Sequence, residues 1–431
     1  MGKATMDRSG EAGTVGVRGR RKKGGKRGNK VPALTDHDVS PTRGFLRATA
    51  PMKRLEAEWA QGWEGAVDEL NDRLLTGSHR EAMERLPLVD ASEVLAGASP
   101  RVLERAFLVL GLLAHGYVFQ DTVVGGKPVD ELPPQLAVPW CQVAAMVGRP
   151  PVITHSSIAL ANYHEIDEDK GAVVDNLGMN SLFLGGMDEA WFYTAALGVE
   201  GAGAPALVGL VEGMHGVVLG EPEMVLNALQ RVLAAVLAMD DALARLPERC
   251  IPAVFYSRIR LFLAGWAGNS ELPNGLTYAG VTPDFDHTAT RPERVAAASG
   301  SATPSFVGKF NGASAAQSSL IQALDAGLDI EHESAFLDAM VAHMPRPHAR
   351  LIDALWHGPS LREYAHACGE PAVLQMYLAC REALALFRNR HIQIVARYIL
   401  QQSPARPSSE KGTGGTSIMP FLKGIRDTTR G

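Results

Sequence analysis

The sequence predicts an all-α protein built as two packed helical domains, and three observations carry that expectation. Segments rich in Ala, Leu, Glu and Arg place apolar residues three and four positions apart along most of the chain. Alternating strand-like runs closed by hairpin turns are nearly absent. With 431 residues and 46% hydrophobic side chains, the chain is longer than a single core usually grows and has ample material for two.

Taken in order, residues 1–30 carry ten Lys/Arg against only Asp7 and Glu11, a local charge of +8 within a chain whose net charge is −5. Eight of these basic residues fall between Arg18 and Lys30 among glycines, a composition that cannot bury enough apolar surface to order itself. A disordered tail over 1–40 is expected, solvated rather than bound to nucleic acid, because no basic stripe follows it. Helices are expected over 53–73, 101–119, 137–148, 187–200, 204–218, 222–244, 251–266, 313–327, 333–343, 348–355, 371–402 and 417–428. The Gly- and Pro-rich stretch 124–150 reads as a connection between a small helical domain, 41–123, and a large one, 151–431. A second irregular region, 268–305, is long enough to border a pocket, and 403–415 ends in a Gly-rich turn.

Other features exclude whole classes of function. The longest apolar stretches, 106–114 and 232–239, are bounded by Arg105, His115, Arg231 and Asp240 and are too short to span a bilayer. No apolar signal-peptide core lies near the start, and the four cysteines, at 141, 250, 368 and 380, form no paired framework. A cytoplasmic, monomeric protein is expected. The metalloprotease, P-loop and serine-hydrolase motifs are all missing.

Among thirteen histidines, His391 is the informative one. Leu384, Phe387, His391, Val395 and Tyr398 recur at three- and four-residue steps, which puts an imidazole in an apolar stripe of one helix. A buried histidine is usually a hydrogen-bonded core residue. An apolar face with one neutral imidazole is also what haem needs, since one axial ligand suffices where zinc would require three or four. Arg260, one turn from Tyr256, lies at the margin of an apolar face made by Phe255, Ile259, Phe262 and Trp266.

The blocks FRNRHIQIVARYIL at 387–400 and KGTGGTSIMPFLKGIRDTT at 411–429 resemble the haem-ligand helix and C-terminal loop of the indoleamine 2,3-dioxygenases. Blocks at 132–163, 191–200, 255–281, 312–325 and 343–352 resemble the same family in the same order, so the likeness runs from about residue 45 to the end. It implies a haem b enzyme that opens the indole ring of tryptophan or a related indoleamine with O2, given an electron donor that keeps the iron reduced.

By the same resemblance, His391 is the proximal iron ligand and Arg260 grips the substrate carboxylate. Phe255 and Phe192 press on the indole. Ala313, Ser314 and Thr413 approach the substrate's amino-acid end. Leu384, Phe387, Val395 and Ser314 contact the cofactor, and Asp325 plays a supporting part. Two departures fall in the distal pocket: Ala196 replaces a serine of the mammalian enzymes and His155 replaces a tyrosine. His155 either accepts a hydrogen bond from the indole N–H or is tied to nearby backbone, pointing away. Two rival readings are an oxygenase of a modified indole and a haem-binding relative without turnover.

Overall fold

The computed structural model describes residues 28–288, 304–402 and 418–430, and in them the all-α expectation holds. The long helices are Pro100–Phe119, Pro134–Val147, Met187–Ala202, Ala204–Leu219, Pro222–Ala244, Arg346–His357, Pro371–Val395 and Ile418–Arg430. Pro100, Pro134, Pro222 and Pro371 each open a helix, where the missing N–H costs nothing and the fixed φ is already helical.

Pro222–Ala244 is the central post. It packs against Ala204–Leu219, Pro371–Val395 and Met187–Ala202, while Ile418–Arg430 lies along Pro371–Val395. One continuous cluster of buried apolar side chains runs through the molecule, from Leu34 to Ile399.

Several expectations need correction. Residues 28–40, assigned to the tail, are packed: Gly28 N–H donates to the His357 carbonyl at 2.9 Å, and Leu34 and Val39 are buried. Residues 1–27 lie outside the described residues. The helix expected from 137 begins at Pro134 and continues through Pro139. The region 268–305 contains a strand, Leu276–Ala279, paired antiparallel with Ser305–Gly308 and parallel with Glu131–Leu132. Among the described residues, three helical stretches, Pro100–Val124, Met187–Leu219 and Pro222–Glu248, are in fact long and apolar enough to cross a membrane. In this fold 83%, 67% and 39% of their apolar windows are buried.

Among the described residues the helical ladder also widens to π geometry at three places, Ser156–Leu160, Phe255–Ile259 and Ala396–Leu400. Each adjoins a candidate site residue: His155 precedes the first, Arg260 follows the second, and His391 lies a turn before the third. Such bulges cost regular hydrogen bonding and concentrate at functional sites.

Candidate active site

The Pro371–Val395 helix presents His391 from a mostly buried stretch in which Leu384, Phe387, Val395 and Tyr398 are all buried. Burial, with a smaller contribution from the Arg388 guanidinium one turn before, holds the His391 imidazole down to about 4. At neutral pH the ring is therefore uncharged and offers a nitrogen lone pair. Part of its surface is uncovered by protein, and among the described residues neither ring nitrogen has a hydrogen-bond partner. A desolvated, neutral and unpartnered imidazole in an apolar setting fits an axial haem ligand. Leu384, expected to touch the cofactor, is wholly covered by protein neighbours and can only support that face from behind.

Charges fix this helix in place. Arg388 donates two bonds to the Asp325 carboxylate, at 2.7 and 2.8 Å, and one to Thr429 of the last helix. Burial alone would favour neutral Asp325, but Arg388 and His332 outweigh it and hold the carboxyl below its ordinary range. On the outer side Arg390 grips Asp240 of Pro222–Ala244 with two bonds of 2.6 Å. The supporting part expected of Asp325 thus has a geometry: it sets the rotation of the helix that carries His391.

The Met187–Ala202 helix supplies the second wall. Between Trp191 and Glu200 only Phe192 and Ala196, one turn apart, are not fully buried. The Phe192 ring lies 4.6 Å from that of Phe255, and Phe255 meets Tyr398 edge-on at 5.8 Å. Tyr398 is locked by donating its hydroxyl proton to the Cys250 carbonyl at 2.6 Å. The aromatic residues expected to flank an indole are thus brought together, and the Phe255–Ile259 turn contacts Ala396–Leu400, the turn that continues the helix of His391.

Arg260 begins the last turn of its helix, which ends at Leu263 rather than at 266. Its guanidinium sits 5.1 Å from the centroid of the Tyr256 ring, over its face. The segment 312–316 is tied to this helix end by two glycines. A Cβ on Gly265 would lie 2.2 Å from Gly312 N, and one on Gly312 would lie 2.2 Å from the Leu263 carbonyl oxygen. Only glycine permits that approach. Ala313 N–H then donates to the Leu263 carbonyl at 3.0 Å, which brings Ala313 and Ser314 beside the Arg260 element. Ser314 Oγ accepts from Ala316 N–H at 3.3 Å. Thr413 and its Gly-rich turn lie outside the described residues.

The His155 side chain is tied to a carboxylate rather than to nearby backbone. Its Nε2 lies 2.9 Å from Oε1 of Glu200, a buried carboxylate one turn beyond Ala196. Sequence reasoning missed Glu200, although an acid four residues after Ala196 on the same helix face was a usable signal. It also missed His115, whose Nδ1 donates to the Phe262 carbonyl at 2.8 Å while Nε2 accepts from Ile153 N–H at 3.0 Å. That one buried ring ties Pro100–Phe119 to the segments leading to His155 and to Arg260. No periodic pattern marks such a pairing.

The model of the family described as indoleamine 2,3-dioxygenase matches residues 33–431. Indoleamine 2,3-dioxygenase 2 of Mus musculus is 34% identical over 93% of this chain and 95% of its own length. Indoleamine 2,3-dioxygenase of Saccharomyces cerevisiae is 31% identical over 93% of each chain. The 6-hydroxytryptophan 2,3-dioxygenase of Fusarium equiseti is 30% identical over 91% of this chain and 96% of its own. With a family model matched over nearly its whole length and full-length relatives above 30% identity, the chain belongs to the indoleamine 2,3-dioxygenase family, haem-dependent dioxygenases of tryptophan-like substrates.

Proposed function

We propose that this protein is a haem b dioxygenase that cleaves the C2–C3 bond of the tryptophan indole and yields N-formylkynurenine. The observation that carries the reading is His391: a neutral imidazole without a hydrogen-bond partner among the described residues, on a helix whose rotation is fixed by the Arg388–Asp325 pair. Bound haem supplies the redox chemistry that activates O2 for insertion across the indole double bond, with an external electron donor keeping the iron reduced.

The protein's own work is placement. Phe192 and Phe255 hold the indole by its faces and edges and keep water from it. Arg260 receives the substrate carboxylate, for which a planar guanidinium is the natural partner. Ala313 and Ser314 approach the amino-acid end, with Thr413 completing that side. Ser314, Phe387 and Val395 border the cofactor. Ala196 leaves the pocket without the hydroxyl of the mammalian enzymes, and His155 accepts the indole N–H. No side-chain acid or base is required, because positioning accounts for the protein's share. The free cysteines suit a cytoplasmic enzyme.

A ring-hydroxylated tryptophan is the second reading. The relative named for 6-hydroxytryptophan favours it, together with the space that Ala196 leaves. Haem-loaded, reduced protein is given tryptophan and 6-hydroxytryptophan in turn under labelled O2, and products are read by mass. Two labelled oxygens in N-formylkynurenine are expected. Formation of only the hydroxylated product would establish the second reading, and no product from either indole would refute both.

A further inference from the structure

We infer that Glu200 is a positioning residue that sets the tautomer of His155, so that the imidazole turns an acceptor nitrogen, Nδ1, toward the substrate. The inference rests on the proposed function for the identity of the substrate, but its core is a statement about two side chains.

Glu200 lies on the Met187–Ala202 helix at four- and eight-residue steps from Ala196 and Phe192, so all three share one face. Its Oε1 receives two partners. Ser318, the cap of the Ser319–Gly327 helix, donates its hydroxyl proton at 2.7 Å, and His155 Nε2 stands at 2.9 Å. The main chain of His155 is fixed independently, since its N–H donates to Oε1 of the buried Gln317 at 2.9 Å. Gln317 in turn donates to the Gly312 carbonyl at 2.9 Å. The clamp therefore joins the start of a π turn, the Phe192 helix and the segment carrying Ala313 and Ser314.

A carboxylate only accepts hydrogen bonds, so the proton between Oε1 and Nε2 belongs to the imidazole. When Nε2 alone carries hydrogen, the ring keeps its lone pair on Nδ1, and among the described residues that atom has no partner. An indole N–H requires an acceptor of this kind. Orienting a histidine through the hydrogen bond at its other nitrogen is the general way a carboxylate chooses the tautomer.

Two measurements test this. In protein labelled with 15N-histidine, long-range proton–nitrogen spectra report which ring nitrogen of His155 is protonated, the signal being assigned by its loss in His155→Phe. Wild type and Glu200→Gln, which keeps an acceptor oxygen, should show the Nε2–H form. Glu200→Leu should show a mixture. In parallel, the shift of the haem Soret band measures binding of tryptophan and of 1-methyltryptophan, which lacks the N–H. Wild type and Glu200→Gln should prefer tryptophan by about tenfold, the worth of one hydrogen bond, and Glu200→Leu should lose the preference. An Nδ1–H tautomer in wild type would overturn the inference whatever the variants do, and so would a Glu200→Leu protein with wild-type tautomer and preference. An Nε2–H tautomer with no preference in wild type would leave Glu200's hold on His155 standing and remove the indole contact, so failure of the substrate reading is seen separately.

Discussion

The two walls of the site are built by different physics. Around His391 the backbone is set by charge: Arg388 to Asp325 and Thr429, and Arg390 to Asp240. At the second wall, Phe192, Ala196 and Phe255 make an apolar surface whose shape comes from ring packing, with one polar fixture, His155 on Glu200. A wall that must hold a metal ligand at one angle gains from directional ion pairs. A wall that must admit and release a flat apolar guest gains from side chains without fixed partners.

Changes on the charged wall should be the most severe. His391→Ala should abolish haem uptake while far-ultraviolet circular dichroism stays native, and a retained Soret band at full occupancy would dismiss the ligand assignment. Asp325→Ala leaves Arg388 buried without its counter-ion and should destabilise the fold by about 3–5 kcal/mol in urea titration. A loss below about 1 kcal/mol would mean that the pair does not fix the helix.

Acid probes both walls at once. Burial holds His115, which pins the apolar wall, and His348, beside Ser319 on the helix that carries Asp325, down to about 3. In the unfolded chain each binds a proton near pH 6.5, so the stability they confer is complete above that pH and falls as the pH drops toward 3. Between pH 7 and pH 5 each should cost about 2 kcal/mol, an effect that disappears for the residue replaced in His115→Asn or His348→Asn.

Smaller effects are expected on the apolar wall. Arg260→Gln should weaken tryptophan binding about tenfold and leave tryptamine, which lacks the carboxylate, unchanged. Equal losses for both would remove Arg260 from the carboxylate. Ala196→Ser should alter binding less than threefold, because the added hydroxyl enters at a position only partly covered by protein. A larger change would show that this spot touches the indole directly.

Much of this arrangement was legible in the residues. The stripe from Leu384 to Tyr398 and the proline-opened helices follow from periodicity and backbone chemistry, which act over one or two turns. The family likeness brought Phe192, Phe255 and Arg260 into one site before any geometry was known. What escaped was contact between residues distant in the chain: Glu200 with His155, His115 with Phe262 and Ile153, and Gly265 against Gly312. Each depends on tertiary proximity, which local patterns do not encode. The π turns escaped because one additional residue in a helix leaves the apolar spacing almost unaltered over so short a run.

That additional residue has an evolutionary and engineering consequence. In Phe255–Ile259 it lies between the ring that faces Phe192 and the guanidinium of Arg260. Deleting one residue there would restore ordinary α-helical bonding yet swing everything upstream by about 100° relative to Arg260, since each α-helical residue turns through that angle. A shortened chain of this kind should lose the packing of Phe255 on Phe192 and hold its guest less well, which makes the irregular turn the place where ring and guanidinium are aimed relative to one another.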